Sequence, residues 1–160
     1  MSGFEKLFEP GRIGNVHLKN RLIMEPVGTR YADSYGHMTD RYKYFLEERA
    51  RGGVGLIINE ASRMIKPPPW PPFNLAINDD QCIPGLSELT RTIKNYDTKI
   101  FIELTHLGII GSEHDPNLVP PAPSAFRYHV TGVTLREMNE GEIEFVVQKF
   151  VEAALRAKKA

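Results

Sequence analysis

The sequence predicts an α/β protein of parallel strands joined by helices, on three observations. Short apolar runs begin near residues 21, 54 and 99. A stretch of helical spacing follows each of them, and glycine or proline punctuates most of the changeovers. Strands that alternate with helices imply a parallel sheet with crossover connections. At 160 residues the chain is long enough for one domain with a real core.

The elements follow in order. A hairpin is expected over residues 8–20, with Arg12-Ile13-Gly14 turning at Asn15 into Val16-His17-Leu18. The first buried strand, 21–26, is the apolar run Arg21-Leu22-Ile23-Met24 closed by Pro26, which cannot donate a ladder hydrogen bond. Gly28 then opens a loop, and an α/β fold places its ligand where such a strand stops. A polar loop from Arg30 to Met38 has Gly36 as its turn residue. Thr39 or Asp40 is the N-cap of a helix over 40–52, whose core face is Tyr42, Phe45, Leu46 and Arg49-Ala50 and whose end is Gly52-Gly53.

The second strand is expected over 54–59, with Asn59-Glu60-Ala61 at its end. The run Lys66-Pro67-Pro68-Pro69-Trp70-Pro71-Pro72 reads as a stiff connection, with a polyproline ligand for a partner's groove as the alternative. Leu86, Leu89, Ile93 and Tyr96 mark a helix over 84–96, and Lys99 to Leu104 is the third strand, 99–104. A long loop occupies 105–138; loops of that length in compact domains are functional or disordered. Asn139 and Glu142 form a capping-box signature ahead of a last helix over 140–160, with Ile143, Val146, Val147, Phe150, Ala153, Ala154 and Ala157 on one face.

Composition excludes several classes. Lys+Arg and Asp+Glu are equal at 20 each, with no basic stripe, so no nucleic-acid partner is expected. No apolar run approaches the roughly 20 residues that span a bilayer, and the first residues have no secretory apolar segment. Cys82 is the single cysteine and reads as a packing residue, so a reduced, cytoplasmic setting is expected. Dinucleotide-fold glycine fingerprints, phosphate-binding P-loops and serine-nucleophile elbows are absent from the sequence. Glu103 and His106, with His114 and Asp115, offer ligands for a metal-dependent enzyme, but in no compact zinc spacing.

The stretch Phe8-Glu9-Pro10 to Thr29, with Ile13-Gly14, Leu18, Asn20-Arg21 and Pro26-x-Gly28-Thr29, resembles the start of the flavin-dependent old yellow enzyme family. The resemblance continues in Arg49 to Ala61, in Leu104-Thr105-His106-Leu107-Gly108 and in Ala122-Pro123-Ser124-Ala125, in family order. It is nearest the branch of 2,4-dienoyl-CoA reductase and 2-enoate reductase-like members. This implies the N-terminal part of a TIM (β/α)8 barrel, about three β/α units preceded by a β-hairpin, where a full barrel has about 250 residues. It also implies FMN as cofactor, NAD(P)H as reductant and a small-molecule alkene as substrate. An iron–sulfur cluster or FAD would belong only to further downstream domains. The rest of the barrel, in another chain or a missing segment, is the implied partner, in an oligomer.

By the same resemblance, Glu25, Pro26, Val27 and Gly28 border the flavin through backbone groups, and Ala61 meets it where a small side chain permits close approach. Without the resemblance, the glycine and proline are plain turn residues. Glu103 stands where the family usually has glutamine and keeps the acceptor but loses the amide donor. It is expected either to lower the flavin potential or to sit protonated through burial, with a solvated strand-end carboxylate as the alternative. Glu25, Val27 and Ile109 also depart from the family's usual residues. His106 is either a second layer of the flavin or substrate site or a strand-end histidine bonded to backbone. Tyr31 is a minor candidate for a substrate-side proton donor. The substrate-binding pair after the fourth strand and the phosphate site near the last strands lie beyond these residues, so the chain alone is expected to be inactive; the alternative is a non-catalytic half-barrel, as an assembly subunit or a truncated product.

Overall fold

The computed structural model describes residues 3–65, 74–106, 108, 121–129 and 132–160. A short helix α1 (Glu5–Phe8) leads into a hairpin of β1 (Gly11–Ile13) and β2 (Val16–Leu18), paired antiparallel around Gly14 in the left-handed region. Then come β3 (Ile23–Met24), α2 (Asp40–Arg51), β4 (Leu56–Arg63), α3 (Ile83–Lys94) and β5 (Lys99–Thr105). Two short paired segments, β6 (Pro121–Ala122) and β7 (Arg136–Glu137), precede the long α4 (Glu140–Lys159).

The sheet runs β3-β4-β5, all parallel, and successive helices pack on one another, α2 on α3 and α3 on α4. Helices that neighbour in chain order over consecutive parallel strands cover one face of the sheet, as in a barrel wall. Three β/α units preceded by a hairpin are therefore the architecture. Tyr42, Leu46 and Ala50 of α2, Ile57 of β4, Leu86, Leu89 and Ile93 of α3, and Ala153 of α4 form the core between sheet and helices.

The hairpin is tied to the start of the sheet by Asn20, whose side-chain amide donates to Gly53 O at 2.7 Å and whose Oδ1 accepts from Leu22 N at 3.1 Å. Gly55 must be small here: a Cβ would lie 2.6 Å from Asn20 Oδ1. Thr39 caps α2 through Tyr42 N, and Asn139 with Glu142 closes a full capping box on α4. Cys82 is buried in the core, and burial pushes its thiol pKa up.

Four boundaries differ from the sequence reading. β3 has only two paired residues, Ile23 and Met24: β4 begins opposite Ile23, and after Met24 the chain leaves the ladder ahead of Pro26, which has no N–H to donate. β4 runs on to Arg63 instead of stopping at 59. Past an irregularity between Asn59 and Ser62 it regains pairing with β5, and Arg63 also bridges to Ala76. α3 starts at Ile83, with Pro84 in its first turn, and ends at Lys94. The long connection before α4 carries the β6–β7 pair and an Arg127–Thr134 bridge. Ile143, Val147 and Phe150 of α4 are exposed while Ala153 is buried, so α4 rests on the sheet by the Val146, Ala153 and Ala157 side only. The proline run 66–72 with Trp70 lies outside the described residues. Among the described residues no helix is long and apolar enough to cross a membrane.

Candidate functional site at the strand ends

β3, β4 and β5 run parallel, so their C-terminal ends point to one side of the sheet; β3 leaves the ladder at Met24, level with Ile57, while β4 and β5 run on to Arg63 and Thr105. Ile23 pairs with Leu56 and Met24 with Ile57, which carries Glu25 to Gly28 past the end of β3 beside the end of β4. Glu25, Val27 and Gly28 are exposed and Pro26 is half-buried. Neither Val27 nor Gly28 makes a hydrogen bond with a described residue, and the space around the Gly28 α-carbon is open.

Asn59 pairs with Ile102 and Ser62 with Leu104, so Glu60 and Ala61 share the interval opposite Glu103 alone. This irregularity brings Ala61, half-buried, and Glu103, exposed, to the same level of the sheet. Alternation along β5 sends Ile100, Ile102 and Leu104 toward the helices and Glu103 to the opposite face, the interior side of a barrel. His106 follows β5 directly and is half-buried; burial pushes its imidazole pKa down.

Sequence reasoning assigned no role to the residue that holds these ends together. Glu60 is 1% exposed. Its Oε2 accepts from Thr29 N at 2.7 Å and from Thr29 Oγ1 at 2.9 Å, while Oε1 accepts from Leu75 N at 3.1 Å. One carboxylate thus joins the loop after β3 to the segment that returns before α3. Its own backbone N–H lies 3.0 Å from Asn59 Oδ1 and 3.3 Å from the Tyr42 hydroxyl, which in turn donates to Asn59 Oδ1. The Tyr42 phenol is pushed well above its ordinary pKa, chiefly by burial. The one local signal was a glutamate directly after the apolar run Val54 to Ile58, where a buried charge is retained only with partners.

Tyr31 is half-buried in the same loop, its ring edge-on to Phe45 at 5.7 Å and its carbonyl accepting from Thr39 Oγ1. His114, Asp115, Leu107 and Ile109 lie outside the described residues. Among the described residues no three His, Cys, Asp or Glu side chains converge as a metal site requires.

The donor set at this edge fits an isoalloxazine ring. Unused backbone groups at Val27 and Gly28 can face its polar edge, the small Ala61 allows close approach, and Glu103 can accept from a ring N–H. What Glu103 lacks is a donor for the neighbouring ring carbonyl.

The sequence profile of the NADH:flavin oxidoreductase / NADH oxidase family matches residues 6–160. The chain is 38% identical over 165 residues to NADH oxidase of Thermoanaerobacter brockii, covering 100% of this chain and 25% of that protein. It is 34% identical over 155 residues to NADPH dehydrogenase of Clostridium acetobutylicum, covering 97% of this chain and 45% of that one. Among solved structures, 2-naphthoyl-CoA reductase in complex with 2-naphthoyl-CoA superposes with a TM-score of 0.85 at 25% identity, over 98% of this chain and 26% of its own. The old yellow enzyme homologue from Zymomonas mobilis superposes with a TM-score of 0.80 at 25% identity, over 96% of this chain and 45% of its own. The chain therefore spans less than half the length of each of these proteins.

Proposed function

The chain belongs to the NADH:flavin oxidoreductase / NADH oxidase family, and from that premise we propose that it supplies the first three β/α units of an FMN-dependent, NAD(P)H-consuming oxidoreductase. The substrate class we propose is an activated C=C bond of the enoate or enoyl-CoA type. Bound at the strand ends, FMN supplies the hydride chemistry. The residues present bind and orient it. Glu25 to Gly28 offer backbone groups to the ring edge, Ala61 leaves room for the ring, and Glu103 accepts from it.

The observation that carries this reading is the convergence of an unpaired loop, a small residue and an acceptor on one edge of a parallel sheet. For His106, half-buried just after β5, the role we propose is in the layer behind the ring. Tyr31 is too enclosed by Phe45 and Arg41 to be our first choice of proton donor. The setting we propose is cytoplasmic, with the remaining strands supplied by a further segment or another chain in an oligomer. This chain alone is then inactive.

A second reading, a half-barrel that serves as an assembly subunit without flavin, is favoured by one feature. Ile143, Val147, Val151 and Leu155 form an exposed apolar row on α4. The two readings separate in a visible absorption spectrum of the purified chain, recorded with its mass. Stoichiometric flavin bands support the oxidoreductase. A chain that stays colourless with added FMN, while folded and associated, supports the assembly subunit.

A further inference from the structure

The loop between β3 and α2 carries two arginines that the flavin reading does not use. Arg30 is exposed and holds φ at +57°, one of two non-glycine residues in the left-handed region among the described residues. An arginine there is uncommon, and such backbone is kept where a surrounding structure or a function requires it. Arg30 makes no hydrogen bond or ion pair with a described residue. Arg41, in the first turn of α2, lays its guanidinium over the Tyr31 ring, 3.9 Å from the centroid. Phe45 backs that ring from the edge, and Thr39 anchors the Tyr31 carbonyl. Arg30, Tyr31, Ala32, Thr39 and Arg41 line one open cleft of about 400 Å³.

The acids nearby are already engaged. Asp40 pairs with Lys43 at 2.8 Å, and Asp33 accepts from Tyr35 N and His37 N and faces the His37 ring. Neither guanidinium of the cleft pairs with an acid among the described residues. A guanidinium stacked on an aromatic ring is held in place before a ligand arrives, which lowers the entropic cost of binding. Its planar fork matches a phosphate with two parallel hydrogen bonds. The cleft also lies on a strand-to-helix loop at the edge where the reactants of such a fold enter.

We propose that Arg30 and Arg41 form a recognition site for a nucleotide phosphate, the anionic handle of a reactant whose reacting end lies at the neighbouring strand ends. This deepens the oxidoreductase reading by naming how a reactant is gripped. Two reactants carry this chemistry, a coenzyme A thioester with its adenosine 3′-phosphate and NADPH with its adenosine 2′-phosphate.

The test is a titration of the ¹⁵N-labelled chain with inorganic phosphate, adenosine 3′,5′-bisphosphate and adenosine 2′,5′-bisphosphate, followed by NMR shifts at Arg30, Tyr31 and Arg41. One bisphosphate is expected to bind at least about tenfold more tightly than inorganic phosphate, more weakly as salt is raised. A 3′-phosphate preference assigns the site to the thioester, and a 2′-phosphate preference assigns it to NADPH. Arg30→Gly, which accepts the left-handed backbone without strain, and Arg41→Gln are each expected to weaken binding about tenfold. Equal affinity for inorganic phosphate and both bisphosphates, or unchanged affinity in both variants, overturns the proposal. FMN binding by the same samples is scored separately. Nucleotide binding without FMN binding sinks the flavin reading and leaves this site standing; FMN binding without nucleotide binding does the reverse.

Discussion

Replacing Glu60 by glutamine changes one oxygen to an NH2 group and little else in size. The carboxylate uses both oxygens as acceptors, Oε2 for Thr29 N and Oγ1 and Oε1 for Leu75 N. An amide has one acceptor oxygen, so whichever way it is turned its NH2 confronts a backbone N–H. Turned with oxygen toward Thr29, it keeps two bonds and orphans Leu75 N, at about 1–3 kcal/mol for a buried unsatisfied donor. Glu60→Ala orphans both amides and costs about 2–6 kcal/mol on the same scale. Thr29→Val removes the hydroxyl from Glu60 and from Tyr31 N, at about 1–2 kcal/mol, and leaves both Glu60 amide contacts. The assay is urea denaturation with native-state hydrogen exchange. Thr29 and Leu75 amides should lose protection in Glu60→Gln, while those of Leu89 and Ile93 follow only the global change. A glutamine variant as stable as the parent, with Thr29 and Leu75 exchanging at parental rates, would refute the reasoning.

Three further outcomes are expected. Gly36 has φ at +85°, and a Cβ there would lie 2.6 Å from the Ala76 Cβ, so Gly36→Ala should cost about 2–4 kcal/mol in a urea midpoint; a change below half a unit would contradict the packing. Glu103→Gln restores a donor and removes a carboxylate from the interior face, so the flavin-loaded protein should show a higher flavin reduction potential, read by spectroelectrochemistry; equal potentials would remove Glu103 from the flavin site. Burial lowers the His106 pKa from its ordinary 6.5, which means folding favours the neutral ring. Its contribution is complete above about pH 6.5 and is lost as the pH falls through the histidine range, so His106→Gln should flatten the stability slope between about pH 7 and 5.

The outer layer of this fold could be read from periodicity because its signals are local. Tyr42, Leu46, Leu86, Leu89 and Ile93 fall on the helical faces their spacing prescribes, and each is buried. Asn139 and Glu142 announce their helix by a capping rule that needs only three residues of context. The site was less accessible. Glu60 looks like any strand-end carboxylate until the chain returns at Leu75, fifteen residues later, to supply its second oxygen with a donor. The extension of β4 to Arg63 depends on pairing with β5 and on the bridge to Ala76, contacts between segments that no single window contains. Arg30 and Arg41 are eleven residues apart, and only the fold of the loop puts both on one cleft.

The two faces of the sheet bear differently on activity. The helix-side face is packed by Ile57, Ile100, Ile102 and Leu104 against three helices, and it carries the buried core. On the opposite face Leu56 is buried near the start of the sheet, whereas Ile23, at 40% exposed, and Glu103 are open. Cofactor contact in a barrel is made on that face and at its rim, whereas folding stability here comes from the other. A substitution such as Glu103→Gln should therefore move flavin properties and leave the urea midpoint almost unchanged. Leu89→Ala should do the reverse, lowering stability by about 2–5 kcal/mol without touching the flavin edge. Finding both effects in either variant would mean that the two faces are energetically coupled, and the rim could not then be treated as a site carried on a separately stable outer layer.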